Sequence, residues 1–301
     1  MGKIFKALEK SQQNSQQTIE KSDNVVEKIE TESLSDFYEH EHINQNERDN
    51  KSHTHKPVAP NPASIDTISI DPLLVTGLNP QSIESEQFRL LKNNILFPEK
   101  GNPPKCIMIT STSPGEGKSF VAANFAISLS QSIDEYVLLM DCDLRSPSIH
   151  SMFGYDHNMQ GLSEYLSKGK PLSSLLIKTF MDKLTILPAG RVPVNPSDLL
   201  ASEQMRRLIH EVKLRYSDRY IIIDTPPPYL TSETSVISRQ VDGIVIVVKQ
   251  GQTRKKDILN IIDIYGKEKI LGVVYNFAKK PMGYGYGKYG YGKYGRSVDN
   301  A

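Results

Sequence analysis

The nine residues from Ser111 to Ser119, STSPGEGKS, combine small residues, one lysine and a final hydroxyl in an order suited to holding phosphates. Gly115 and Gly117 let the backbone approach a ligand closely, and backbone amides in such a turn converge on phosphate oxygens. Lys118 supplies positive charge for the β- and γ-phosphates of ATP, and Ser119 offers its hydroxyl to Mg²⁺. The segment therefore predicts a phosphate-binding loop for ATP with Mg²⁺.

This loop departs from the usual GxxxxGK[ST] pattern, because Thr112 stands where that pattern has glycine. The alternative is a glycine-rich turn with an incidental lysine, which the apolar run before it and the helical pattern after it disfavour. We therefore predict a deviant phosphate loop. Its expected ATP-binding residues are Ser113, Pro114, Gly115, Glu116, Gly117, Lys118, Ser119 and Phe120.

Three aspartates follow apolar runs that we interpret as strands. Asp141 and Asp143 lie in LLMDCDLR, and Asp224 lies in IIIDTPP. Ligands of open α/β sheets bind at such strand ends, and Mg²⁺ prefers oxygen ligands while keeping some of its waters. A single aspartate there is often only a helix cap. With the phosphate loop, the three predict Ser119, Asp143 and Asp224 as Mg²⁺ ligands and Lys118 and Asp143 as catalytic residues.

The elements that position these residues alternate between two kinds. Continuous apolar runs alternating with helical segments indicate a parallel sheet covered by helices on both faces. We therefore predict a doubly wound α/β domain with a mainly parallel sheet, of the deviant P-loop NTPase type. The predicted strands are 105–111, 136–143, 183–190, 220–228, 242–250 and 270–277, and the predicted helices are 84–97, 120–132, 198–216 and 253–266.

Composition divides the chain into three parts. Residues 65–278 are predicted to form the P-loop domain. Residues 1–64 are polar and predicted to be disordered, with an amphipathic helix over 1–10 that either docks to a partner or membrane surface or stays a frayed, solvated helix. Residues 279–301 form a predicted flexible tyrosine-rich tail. Four histidines of the N-terminal part leave a weak alternative of metal binding, namely His40, His42, His53 and His55.

Bulk properties exclude several classes of protein. The net charge of +1 favours no nucleic-acid partner. Two cysteines, Cys106 and Cys142, fall in apolar runs and fit buried thiols in a reducing compartment, with a disulfide as the weaker alternative. No apolar run reaches the ~20 residues that span a bilayer, and the N-terminus lacks the apolar core of a signal peptide. We therefore expect a cytoplasmic protein.

The motifs SPGEGKS, DCDLR and IIIDTPP, in this order, resemble those of the bacterial tyrosine kinases of polysaccharide synthesis and export. The resemblance covers roughly residues 70–278 and the tyrosine-rich tail. The start GKIFKALEK resembles the exosortase-associated branch of these autokinases. It implies ATP- and Mg²⁺-dependent tyrosine autophosphorylation that regulates exopolysaccharide or capsule production. It also implies Asp141 as the catalytic base that accepts the tyrosine proton, with Asp143 as the alternative base. The implied partners are a second copy of the chain, a transmembrane activator that recruits it to the membrane, and a cognate tyrosine phosphatase.

Two other functions stay open. The fold also resembles the ATPases that partition chromosomes and place division sites, but these carry an early signature lysine where this chain has Ser113 followed by Pro114. Such an ATPase transfers phosphate to water and cycles between surfaces. The other alternative is a nucleotide-gated assembly module that binds ATP and leaves its tyrosines intact.

The tail supports tyrosine as the phosphate acceptor. Glycines around its tyrosines make the segment flexible, and its basic residues favour approach to an acidic nucleotide site. Each phosphate adds about −1.5 to −2 charges, which suggests a switch that expels the tail from a neighbouring subunit. A sticky low-complexity tail and an RNA-stacking segment are the alternatives. The predicted acceptors are Tyr284, Tyr286, Tyr289, Tyr291 and Tyr294.

Two further assignments rest on the resemblance. Glu86, Arg89 and Lys92 resemble the family's ExxRxxR oligomerisation motif, with lysine in place of the final arginine. The alternative is an ordinary intrahelical Glu–Arg pair, worth ~0.2–0.5 kcal/mol. Asn276 matches the position that contacts adenine in related ATPases, with a simple strand-end turn as the alternative. Arg145 is expected to orient phosphate or to pair with a carboxylate.

Overall fold

The computed structural model describes residues 70–215, 219–228 and 233–278. Seven strands form one sheet in these residues. They are β1 Cys106–Ser111, β2 Tyr136–Asp141, β3 Ile177–Lys178, β4 Leu184–Leu187, β5 Arg219–Asp224, β6 Gly243–Lys249 and β7 Ile270–Asn276. The helices are α1 Val75–Leu78, α2 Ile83–Leu96, α3 Lys118–Ser130, α4 Ile149–Met152, α5 Leu162–Lys168, α6 Pro196–Leu200, α7 Glu203–Arg215, α8 Glu233–Ser238 and α9 Lys255–Tyr265, with 3₁₀ turns at Leu172–Ser174 and Lys267–Lys269.

The sheet has the strand order β3-β4-β2-β5-β1-β6-β7. Every pairing is parallel except that of β3 with β4. Because β1, β2, β5 and β6 are adjacent and parallel, their carboxyl ends meet at one edge of the sheet, where open α/β folds bind ligands. The predicted doubly wound fold is confirmed.

Helices cover both faces of this sheet, and a hydrophobic core lies on each. On one face, α3 packs through Val121, Phe125 and Leu129 against Ile107 and Ile109 of β1. On the other face, α7 contributes Leu208, Ile209 and Val212, and α9 contributes Ile261. Burial on two sides explains why the central strands are continuous apolar runs without polar alternation.

The observed elements differ from the predicted ones at several places. The strands predicted over 183–190 and 220–228 end earlier, at Leu187 and Asp224. The predicted helix 198–216 is two helices, because the Ser202 hydroxyl accepts the Met205 amide at 3.2 Å and begins α7 as a new helix. The strand predicted over 136–143 ends at Asp141, where that carboxylate accepts the amide of Asp143 and turns the chain. The two-residue strand β3 was not predicted, since it is too short to show a periodic pattern.

Two absences bear on the earlier expectations. Cys106 and Cys142 are both buried free thiols, so the disulfide alternative is wrong. Within residues 70–215, 219–228 and 233–278, no helix has the length and apolar character needed to cross a membrane. The predicted boundaries at residues 65 and 278 stay predictions.

Candidate active site

The phosphate loop joins β1 to α3, as the motif predicted. Gly115 and Gly117 both have positive φ, 75° and 86°, which other residues adopt only with strain. Gly117 is the N-cap of α3, and Lys118 begins the helix. A Cβ at position 117 would lie 2.0 Å from Nδ2 of Asn276, so a side chain there would displace the neighbouring strand end. The loop amides and the helix N-terminus together form an anion-binding turn.

Thr112 and Glu116 explain the departure of this loop from the usual pattern. The Thr112 hydroxyl donates to the Glu116 carboxylate, 2.8 Å from Oε1 and 3.0 Å from Oε2. The Ser113 amide donates to the same carboxylate at 2.9 Å. A threonine in place of glycine thus closes the loop on itself through a side chain. Glu116 is only 4% exposed, so the structure shows its side chain as an internal ligand of the loop.

Lys118 is held among carboxylates. Its Nζ lies 2.7 Å from Oδ2 of Asp143 and 3.3 Å from the Ser119 hydroxyl. Burial by itself would lower the pKa of Lys118, but the charges of Asp224, Asp143 and Asp141 outweigh it and raise that pKa. The lysine is therefore a fixed positive charge beside the phosphate loop.

Asp141 is fully buried at the end of β2, and backbone amides hold both of its oxygens. The amide of Asp143 donates to Oδ1, and the amides of Ser148 and Ile149 donate to Oδ2, each at 3.1 Å. Burial, and next the charge of Asp224, raise the pKa of Asp141 to about 7, although the Ile149 amide opposes the shift. The structure thus combines a fixed orientation with a carboxylate that can take a proton near neutral pH.

Asp224 lies beside Asp141, since the two are paired in the register of β5 and β2. It is fully buried, and neither of its oxygens has a hydrogen-bond partner among the described residues. Burial raises the pKa of Asp224, while Lys118 and the nearby Ser119 hydroxyl counteract the rise. A buried carboxylate without a partner needs an explanation, and a ligand that the carboxylate binds would supply one.

These oxygens fit Mg²⁺. Ser119, Asp143 and Asp224 bring one hydroxyl and two carboxylates to the Lys118 side of the loop. In the described part of the chain, no three His, Cys, Asp or Glu side chains converge tightly enough to hold a metal alone. The donor set of one hydroxyl and two carboxylates fits Mg²⁺, which takes one or two protein carboxylates and fills its shell with waters and substrate phosphates.

Other predicted ATP-binding residues have different contacts. Arg145 donates from Nη2 to the Ser197 hydroxyl at the start of α6, at 2.8 Å. The Phe120 ring packs edge-on against Phe88, with centroids 5.8 Å apart. Asn276 lies against the loop and donates from Nδ2 to the Glu116 carbonyl at 3.0 Å. Nucleotide contacts of these three residues stay predictions.

The predicted oligomerisation residues lie on α2. Arg89 pairs with Glu86 one helical turn away, and it also donates to the Pro80 carbonyl. Burial, and next the charge of Arg89, lower the pKa of Lys92. The intrahelical pair is therefore present, and the assembly role stays a prediction. The five predicted acceptor tyrosines lie outside the described residues.

Sequence reasoning missed the residues that shape the site from a distance. Thr253 contacts Glu116 from the loop after β6, 137 positions along the chain. The amides of Ser148 and Ile149 fix Asp141 from a turn that no motif marks. Only a three-dimensional arrangement brings these groups together.

Comparison with known proteins agrees with this geometry. Residues 102–284 match the family model described as ParA, NUBPL iron-transfer P-loop NTPase. The matched stretch is more than half of the chain. The fold and the loop therefore define a P-loop NTPase of the ParA type.

Sequence relatives and solved structures show which family of P-loop NTPases the chain belongs to. The chain is 35% identical to tyrosine-protein kinase YwqD of Bacillus subtilis over 217 residues, which are 71% of this chain and 90% of that protein. Among solved structures, the chimerical protein CapA2B2 matches with 32% identity and a TM-score of 0.63, over 70% of this chain and 93% of that one. The kinase domain of Escherichia coli tyrosine kinase ETK matches with 30% identity and a TM-score of 0.62, over 71% and 84%. The chain belongs to the family of bacterial tyrosine kinases.

Proposed function

We propose that this chain transfers the γ-phosphate of ATP to tyrosine hydroxyls, among them those of its own C-terminal tail. The observation that carries the proposal is the meeting of Lys118 with Asp141, Asp143 and Asp224 at the carboxyl edge of the sheet. The family of the chain supports tyrosine as the acceptor. The tail contains a cluster of five tyrosines in the sequence, from Tyr284 to Tyr294.

Each site residue has a place in this reaction. Lys118 and the loop amides bind the β- and γ-phosphates and neutralise charge as the tyrosine oxygen bonds to the γ-phosphorus and the bridge to ADP breaks. Asp141 accepts the tyrosine proton, since its pKa of about 7 and its three amide contacts suit a positioned base. Ser119, Asp143 and Asp224 would hold Mg²⁺, which neutralises phosphate charge when bound.

Lys118 and Asp143 act next to each other in this proposal. Their charged groups lie 2.7 Å apart, in a pair whose side chains are 13% and 7% exposed. The positive charge that would contact the β- and γ-phosphates therefore lies beside a carboxylate that would hold Mg²⁺.

The wider role that we propose is the control of exopolysaccharide or capsule production. The support for it is the resemblance of the motifs SPGEGKS, DCDLR and IIIDTPP to those of the bacterial tyrosine kinases of polysaccharide synthesis and export. We further propose that copies of the chain phosphorylate one another through contacts of Glu86, Arg89 and Lys92. A transmembrane activator would recruit the chain to the inner face of the membrane, and a tyrosine phosphatase would reset it.

The experiment is phosphosite mapping by mass spectrometry after incubation of the purified chain with Mg-ATP. We expect phosphate on residues between Tyr284 and Tyr294, and none in Lys118→Met. A variant with all five of these tyrosines changed to phenylalanine is the matched control for the tail. The reaction is repeated with the cytoplasmic segment of a candidate activator. Phosphate on the tail of Lys118→Met, or on no tyrosine of the wild type in either reaction, contradicts the proposal.

A further inference from the structure

The Glu116 carboxylate is enclosed by protein groups from two parts of the chain. Thr112 and Ser113 reach it from the start of the phosphate loop. The Thr253 hydroxyl donates to it from the turn between β6 and α9. Hydrogen bonds to a buried carboxylate are stronger than neutral ones. The phosphate loop is therefore attached to an element that lies outside its own motif.

The Thr253 hydroxyl is oriented for this contact. Its oxygen accepts the backbone amide of Lys249, the last residue of β6, at 2.9 Å. Because that amide occupies a lone pair of the hydroxyl oxygen, the hydroxyl hydrogen is left to point at Glu116. A rigid central strand thus sets the direction of the hydrogen bond that Thr253 donates.

A second contact fixes the same loop residue from β7. Asn276 donates from Nδ2 to the Glu116 carbonyl at 3.0 Å, and its Oδ1 accepts the amide of Phe277 at 2.9 Å. Glu116 is therefore held by its side chain from β6 and by its main chain from β7. Both contacts lie directly before Gly117, whose positive φ starts α3.

We propose that Thr253 is a positioning residue for nucleotide binding, which holds the phosphate loop through Glu116 in the shape that receives the β- and γ-phosphates. The residue acts only through Glu116. A loop with glycines at positions 115 and 117 has many accessible conformations, and ordering it at the moment of binding weakens the affinity. The bond from Thr253 removes part of that freedom before ATP arrives.

The expected effect is specific to nucleotides with more than one phosphate. Loss of a hydrogen bond to a charged group corresponds to about a tenfold or larger change in an equilibrium constant. We expect Thr253→Val to weaken ATP binding about tenfold. Binding of AMP, which lacks the β- and γ-phosphates, should change less than twofold. The proposal rests on the proposed function only in taking ATP as the ligand, and ATP binding by the wild type tests that premise separately.

The test is competition of ATP and of AMP against a fluorescent adenine nucleotide, with the full chain and Mg²⁺. Thr253→Ser keeps the hydroxyl and should restore ATP affinity to within about twofold of the wild type, since one hydrogen bond separates the two variants. If Thr253→Val does not fold, Glu116→Gln is used in its place. This variant should weaken the binding of ATP and leave the binding of AMP unchanged. The proposal is overturned if the variant binds ATP and AMP with equally reduced affinity, or if its affinity for ATP is not reduced.

Thr179 provides the matched control. Its hydroxyl donates to the Leu184 carbonyl at 3.0 Å and accepts the Met181 amide at 3.0 Å in the turn between β3 and β4. In the strand order of the sheet, β3 and β4 lie at one end and β6 and β7 lie at the other end. Thr179→Val should lower the melting temperature as Thr253→Val does and leave ATP affinity unchanged. A similar loss of ATP affinity in both variants would show a general effect of stability and refute the positioning role.

Discussion

Asp224 and Asp242 carry the same side chain in opposite environments. Asp224 ends β5, is fully buried and has no hydrogen-bond partner among the described residues. Asp242, just before β6, accepts the amides of Lys105 at 3.0 Å and Cys106 at 2.8 Å and pairs with Lys213 at 2.6 Å. Substitution by asparagine at these two positions should therefore change stability in opposite directions.

Asp224→Asn should stabilise the nucleotide-free protein. Burial is the main cause that raises the pKa of Asp224, so the fold disfavours its charged form. Removal of a buried charge whose oxygens accept no hydrogen bond from the described residues relieves about 1–3 kcal/mol, and the lost attraction between this carboxylate and Lys118 offsets part of that gain. For a domain of this size, each kcal/mol moves the melting temperature by about 2–4 °C. We expect a rise of about 2–12 °C, together with loss of the proposed metal ligand.

Asp242→Asn should destabilise the protein by about 1–2 kcal/mol, because it weakens charge-assisted bonds at a site whose side chain is 34% exposed. Burial opposes ionisation, but the Lys213 and amide hydrogen bonds outweigh it and lower the pKa of Asp242. This contribution is complete above the unfolded pKa of about 3.9 and is lost as the pH falls through the lower folded value. The difference between wild type and Asp242→Asn should therefore vanish in acid.

The assay is thermal unfolding followed by circular dichroism, at pH 7.5 in a chelator and again with Mg-ATP. In the chelator, Asp224→Asn should have a higher melting temperature than the wild type. Addition of Mg-ATP should raise the melting temperature of this variant less than that of the wild type. Asp242→Asn should have a lower melting temperature than the wild type, and Mg-ATP should raise it by as much as it raises that of the wild type. A melting temperature of Asp224→Asn below that of the wild type in the chelator would refute the reasoning, because it would show that the fold stabilises this carboxylate.

Three further predictions concern other parts of the domain. Cys106 and Cys142 have pKa values raised by burial, Cys106 to about 12, so neither should react with a thiol reagent at pH 8 before unfolding, and rapid reaction of the native protein would contradict this. Burial, and next the charge of His157, lower the pKa of His150, although Asp156 opposes the shift, so stability should fall as the pH drops below about 6.5. An NMR titration midpoint of His150 at or above pH ~6.5 would contradict the lowered pKa of this residue. Ser202→Ala should lower the free energy of unfolding in urea by about 0.5–2 kcal/mol through loss of the cap of α7, and unchanged stability would argue against the cap.

Much of the fold was predictable because buried parallel strands are continuous apolar runs. The runs that became β1, β5, β6 and β7 were placed within a few residues of their ends, and the phosphate loop followed from residue types and spacing alone. These signals are local, since they depend on neighbours in the sequence. The break at Ser202 was missed because one hydroxyl decides it inside a pattern that is helical on both sides.

The arrangement within the site was less predictable. Asp141, Asp143 and Asp224 were found as chemical candidates, but their different environments depend on contacts across the sheet. Three amides hold Asp141, a lysine pairs with Asp143 and Asp224 has no such partner in the described chain. Glu116 was predicted as an ATP-binding residue, and this stays a prediction, but the hydrogen bonds that its carboxylate accepts from Thr112 and Thr253 were not predicted. Such long-range contacts leave no periodic or spacing signal in the sequence.

The identity of the phosphate acceptor distinguishes a tyrosine kinase from an ATPase that uses water. ATP labelled at the γ-phosphate is incubated with the full chain and Mg²⁺, with and without an activator segment, and the amounts of label in phosphotyrosine and in free phosphate are measured. We expect label on tyrosines between Tyr284 and Tyr294, and loss of that label in Lys118→Met. Release of all the label as inorganic phosphate, with no phosphotyrosine in either reaction, would exclude tyrosine transfer and indicate an ATPase that uses water as its acceptor.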